Sequence, residues 1–133
     1  MSKITKAQID SINSKCKNEW KFDWQYYLNY GEKTFIKSIP LDNENYLEFA
    51  LRYNYKNQIS IHISKFHHEE NETFAVTSGM GKSIVLDETQ VKRKNVNDLI
   101  KFTKTLNDEQ LMLINKNTKV SSGYGLILKS EEF

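Results

Sequence analysis

Tyr46-Leu47-Glu48-Phe49-Ala50-Leu51-Arg52-Tyr53-Asn54-Tyr55-Lys56-Asn57-Gln58-Ile59-Ser60-Ile61-His62-Ile63 carries the pattern that decides the fold. Leu47, Phe49, Leu51, Tyr53 and Tyr55 alternate with Glu48, Ala50, Arg52 and Asn54, the two-residue period of a strand with one face buried. Lys56-Asn57 is a turn signal, and Ile59, Ile61 and Ile63 return with the same period. The segment therefore predicts a β-hairpin, and neighbouring hairpins would extend it into an antiparallel sheet.

Upstream, Thr34 to Ile39 reads as a strand closed by Pro40, which cannot donate to a ladder, with Gly31-Glu32 as the turn before it. Trp20, Phe22, Trp24, Tyr26, Leu28 and Tyr30 alternate with Lys21, Asp23, Gln25, Tyr27 and Asn29, which predicts a long strand over that stretch. Ahead of it, Thr5 and Gln8 have capping-box spacing and Ile4 can staple on Ile9, so a helix starts at Thr5. Its stripe is Ile9, Ile12, Cys16 and Trp20, ending near Lys17 or Asn18.

Downstream, Glu69-Glu70-Asn71 turns the chain into a strand marked by Phe74 and Val76. A loop over 77–83 then separates it from Ile84-Val85-Leu86. Val96, Leu99, Ile100 and Leu106 fit a helix capped near Asn95 or Asn97, and Asn107 with Gln110 opens another over Asp108 to Asn115. Leu126-Ile127-Leu128 reads as a last strand. The expected class is α+β: one mainly antiparallel sheet of about six to seven strands, with an N-terminal helix and two C-terminal helices on one face. No linker or repeat interrupts it, so residues 1–133 form a single domain.

Nineteen basic residues against seventeen acidic ones leave a net charge of +2, too balanced for generic nucleic-acid binding. The charge is segregated, with six acids against three bases over 42–72 and six bases against three acids over 82–104. Lysine far outnumbers arginine, and Asn, Ile, Tyr and Phe are plentiful, as AT-rich coding in low-GC bacteria and their phages and plasmids produces. Apolar runs stop at four residues, which excludes a membrane-spanning helix from the sequence. The single Cys16 excludes an intramolecular disulfide, and no secretory leader opens the chain, so the expected location is cytoplasmic.

Four of the five glycines fall in two related pentapeptides, Thr77-Ser78-Gly79-Met80-Gly81 and Ser121-Ser122-Gly123-Tyr124-Gly125. Gly-X-Gly can turn several N–H groups inward as an anion-binding nest, with the preceding hydroxyls as further donors. The candidate ligand-binding set is Thr77, Ser78, Gly79, Gly81, Lys82, Ser83, Arg93, Ser122, Gly123, Tyr124 and Gly125. Lys82 and Arg93 are its counter-charges, and Tyr124 is its stacking platform. On the competing reading these glycines only make tight turns. A phosphate-binding P-loop is excluded, because its first glycine position is Val76 and Ser83 enters a strand instead of opening a helix.

His62, His67, His68, Glu69 and Glu70 lack the spacing of a metal site, and no serine sits in a G-x-S-x-G elbow. Cys16 belongs to a core stripe, so no nucleophile, metal or cofactor is expected. Tyr27, Tyr46, Phe66 and Phe133 fall outside the core register and offer a homodimer or partner surface. The expected function is a non-enzymatic binding protein, phage or mobile-element encoded, that sequesters a small anionic, nucleotide-like ligand. The alternative is a protein-directed inhibitor, either an antagonist of a bacterial defence nuclease such as an anti-CRISPR or a toxin-immunity protein. A hydrolase of nucleotides or peptides is the third class, and it would need a metal or nucleophile that these patterns do not supply.

Overall fold

The computed structural model describes residues 5–67 and 76–118. Its elements are α1 (Lys6–Lys15), β1 (Lys21–Phe22), α2 (Trp24–Tyr30), β2 (Thr34–Pro40), β3 (Asn45–Tyr53), β4 (Ile59–His67), β5 (Val76–Asp87), α3 (Val96–Thr103) and α4 (Asp108–Asn117). The strands form one antiparallel sheet in the order β1-β2-β3-β4-β5. The class is α+β, with five strands and four helices among the described residues.

The hairpin over 46–63 forms, with Phe49 opposite Ile63, Leu51 opposite Ile61 and Asn57 in the left-handed turn conformation at φ 60°. The three helix starts also fall where their caps place them. Thr5 and Gln8 close a reciprocal capping box, Asn95 accepts from the Asn97 amide, and Asn107 accepts from the Gln110 amide at 2.9 Å.

Two stretches depart from the expected pattern. The strand over Trp20 to Tyr30 is only Lys21–Phe22, and Trp24–Tyr30 is helix. Residues two apart in a strand are also four apart in every second pair, so Trp24/Leu28 and Tyr26/Tyr30 make helical faces equally well. The ends decide the matter: Asp23 accepts from the Tyr26 amide at 3.1 Å as N-cap, and Gly31 at φ 71° is a left-handed C-cap. The expected loop over 77–83 does not exist either, because β5 runs unbroken from Val76 to Asp87 and pairs with β4. Two register shifts in that pairing, between Ile59 and Ser60 and between Ser64 and Phe66, absorb the irregular sequence. The expected fifth and sixth strands are thus one strand. Ile4, the turn at Glu69-Glu70-Asn71, Phe74 and the final strand over Leu126 to Leu128 lie outside the described residues.

One face of the sheet carries the core. Phe35, Leu47, Phe49, Leu51, Ile61 and Ile63 are fully buried there with Leu99 of α3 and Leu111 of α4. Trp20 donates its indole N–H to the Leu106 carbonyl at 2.8 Å, and Tyr53 donates to the Asn95 carbonyl at 3.0 Å, fixing both ends of α3. Two lysines also point into this face. Lys37 (4% exposed) pairs with Asp108 at 2.6 Å and donates to the Asn18 carbonyl, while Lys82 (0% exposed) donates to the Asn115 carbonyl at 2.8 Å and to its side-chain oxygen at 3.0 Å. Replacing Lys37 by methionine keeps the aliphatic stem and deletes the charge and the donor. Lys37→Met is expected to cost about 1–3 kcal/mol of unfolding free energy, measured by urea unfolding followed through tryptophan fluorescence.

Candidate functional site

Alternation leaves the opposite face of the sheet to residues of the other parity. Their cross-strand rows are Thr34-Arg52-Ser60-Val85, Ile36-Ala50-His62-Ser83, Ser38-Glu48-Ser64-Gly81 and Pro40-Tyr46-Phe66. The middle two rows hold small side chains around His62 and Glu48, and the fourth begins its aromatic pair with Tyr46 stacked on Phe66 at 5.2 Å. This face is therefore polar and low in relief at its centre, with bulk towards its ends.

A cleft of about 500 Å³ occupies the first-row end, lined by Tyr26, Arg52, Tyr55, Gln58, Ser60 and Ser83 among others, a volume typical of small-molecule sites. Arg52 is its centre. Its Nη1 donates to the Tyr26 hydroxyl at 3.1 Å, and the guanidinium carbon lies 6.0 Å from the centroid of that ring. A guanidinium has five N–H donors, and this is the one side-chain hydrogen bond Arg52 makes among the described residues, with no carboxylate within ion-pair distance. Tyr26 in turn packs on Tyr30 at 4.7 Å, so α2 supplies an aromatic wall. Tyr55, 90% exposed at the hairpin tip, supplies the other, with Lys56 over its ring at 5.6 Å. Glu32 at the rim is already paired with Lys94 at 3.1 Å.

Two ionisable groups border the cleft along the sheet. Burial, with a smaller contribution from Arg52, pushes His62 below the usual imidazole range, so it is neutral at neutral pH. Its ring lies against Gly81, where a Cβ would come within 2.8 Å of Cε1. Burial and then the Asp23 carboxylate push Glu48 up from the usual carboxylate range. Among the described residues no cluster of three His, Cys, Asp or Glu could hold a metal ion, and Cys16 is a half-buried thiol pushed up by burial.

The described residues among those singled out in the sequence fall at several places on β5 and beyond it. Thr77, Ser78 and Gly79 lie within strand β5, where Thr77 is paired with Phe66 and the other two fall in the register shift between Ser64 and Phe66. Gly81 sits opposite Ser64, where its missing side chain makes room for the His62 ring. Lys82 faces the core and is spent on α4, whereas its neighbour Ser83 faces the cleft. Arg93 is exposed in the link before α3. Ser122, Gly123, Tyr124 and Gly125 lie outside the described residues, as do His68, Glu69, Glu70 and Phe133. Arg52, Ser60, His62 and Tyr26 were absent from the expected site. The signal for the first three was the alternation itself, which names the members of the second face as surely as those of the core.

No protein-family model matches the chain, no curated protein matches it, and no solved structure matches it.

A carboxylate whose affinity for its proton is higher in the native state than in the unfolded one destabilises the fold while ionised, and the penalty disappears as pH falls through its native pKa. Glu48→Gln is accordingly expected to raise Tm by about 1–3 °C at neutral pH and to lose that advantage in acid, as a pH series of thermal melts would record.

Proposed function

We propose that the protein is a non-enzymatic binding protein that holds a small anionic, nucleotide-like ligand in the cleft on the open face of the sheet. The observation that carries this reading is Arg52: partly buried, held by Tyr26, and with most of its donors directed to no protein acceptor among the described residues. A planar fork of that kind matches a phosphate or carboxylate in bidentate geometry. Ser60 and Ser83 add hydroxyl donors, and the rings of Tyr26 and Tyr55 offer stacking surfaces for a base. On this reading the anion is held by Arg52 of β3 with Ser60 of β4 and Ser83 of β5. Capture of a ligand needs neither nucleophile nor metal, so the described residues suffice for it.

A second reading, a protein-directed inhibitor, draws on α2. Trp24 and Leu28 lie one turn apart and stay exposed, and Trp24 lines a separate cleft with Lys21, Gln25 and Ser38. Aromatic residues on a rim of mixed charge suit a protein partner.

Thermal unfolding against a panel of mono-, di- and cyclic nucleotides separates the two. A ligand bound only by the native state adds about 2.7 kcal/mol when present at 100 times its Kd. A nucleotide is expected to raise Tm, and Arg52→Ala is expected to weaken its binding by about ten-fold or more. A wild-type protein that melts cooperatively and shifts with no nucleotide favours the inhibitor, for which Trp24→Ala is the disabling change.

A further inference from the structure

We infer that Glu32 is the specificity-determining residue of the Arg52 cleft, a rim carboxylate that limits the ligand to a single phosphoryl group and turns polyphosphates away. The inference rests on the nucleotide-like ligand proposed above and names its class, a nucleoside monophosphate. It starts from where the phosphoryl group would sit. Ser60 lies directly opposite Arg52 across β3 and β4 and is 2% exposed, and it lines the cleft with a hydroxyl that makes no hydrogen bond among the described residues. The guanidinium fork and that sequestered hydroxyl together match the terminal oxygens of one phosphate monoester.

Charge limits what can follow the first phosphoryl group. The charged side chains lining the cleft are Arg52, Lys56 and Glu32, and Glu32 is the carboxylate among them. It precedes Thr34, the residue paired with Arg52 across β2 and β3, by two positions, a span of at most about 7 Å. Both of its oxygens accept from Lys94 Nζ, at 3.1 and 3.2 Å, but Lys94 is not a lining residue, so the counter-charge is set back from the cleft. Lys56, the other lining cation, is exposed and lies over the ring of Tyr55 at the hairpin tip, where the base would stack. One phosphoryl group therefore meets Arg52 and Ser60, whereas a second or third meets a carboxylate within a screening length in place of a cation.

The test compares adenosine 5′-monophosphate with adenosine 5′-triphosphate on the full chain, by calorimetric titration without divalent metal at about pH 8, where the monoester is a dianion. The monophosphate is expected to bind about three-fold tighter or more. Glu32→Gln is expected to narrow that ratio, chiefly by strengthening the triphosphate. Lys94→Met is expected to widen it, because it leaves the carboxylate without its counter-ion. The opposite signs are diagnostic: an ion pair that merely tied the link over 88–95 to the start of β2 would, on losing either partner, move the ratio in one direction. A triphosphate bound as tightly as the monophosphate, or a ratio that the two substitutions leave unchanged or move the same way, overturns the inference and leaves the Arg52 cleft standing. Absence of binding by both nucleotides also overturns the inference, and where no other nucleotide shifts Tm it overturns the cleft as well.

Discussion

Helix α4 is held across the sheet by two buried lysines, and much of the molecule is arranged around that constraint. Lys37 and Lys82 occupy the two ends of one cross-strand row, Lys37-Phe49-Ile63-Lys82, so they lie three strand spacings or about 14 Å apart. Asp108 and Asn115, their partners on α4, are separated by about 10 Å along the helix axis, which two lysine stems easily bridge. The helix must therefore run across the strands, and Leu111, between Asp108 and Asn115 in sequence, is buried in the same core as Phe49 and Ile63. The polarity is also favourable. Asp108 sits in the first turn, where the helix dipole favours an acid, and Lys82 donates near the last turn, where it favours a cation.

The same lysine secures the most strained backbone in the described chain. Asn18 and Glu19 are consecutive left-handed residues at φ 58° and 64°, a conformation that costs free energy without glycine. Lys37 holds the Asn18 carbonyl, and Thr103 of α3 receives both the Lys17 amide and, at its carbonyl, the Asn18 side chain at 2.7 Å. This corner ends α1 and redirects the chain into β1, whose brevity then leaves Asp23 to start α2 at the side of the sheet. Tyr27 of that helix packs on Phe22 at 5.9 Å, and Tyr26 reaches Arg52 on the other face. One strained corner in α1–β1 is thus connected, through the placement of α2, to the wall of the cleft.

What could be read from the residues alone follows from how local each signal is. The caps at Thr5, Asn95 and Asn107 and the hairpin over 46–63 depend on contacts within a few positions, and the fold keeps them. The stretch over 20–30 was ambiguous because six alternating aromatic and aliphatic residues satisfy both periods, and only Asp23 and Gly31 break the tie. The glycines of 77–83 look like a turn until a partner strand is present. Gly81 is required by the His62 ring, nineteen positions away, a reason that no local pattern contains. Lys82 misled for a related cause: a lysine beside glycines suggests an anion, yet its donors are used by a helix 33 residues further on.

The candidate site was legible only in half. Composition and alternation place Arg52, Ser60 and His62 on a common face, but the partner that holds Arg52 comes from α2, which the same alternation had assigned to the sheet. That partner matters for binding strength. An arginine on an open sheet surface loses rotamer freedom whenever it grips a ligand, whereas one already pinned by a hydroxyl and a ring has met part of that cost in folding. The polar face is consequently best understood as preorganised at one point, Arg52, and adjustable around it. Small residues at Ala50, Ser60, Ser64, Gly81 and Ser83 leave the space, and His62 with Glu48 sets the charge in the unoccupied rows.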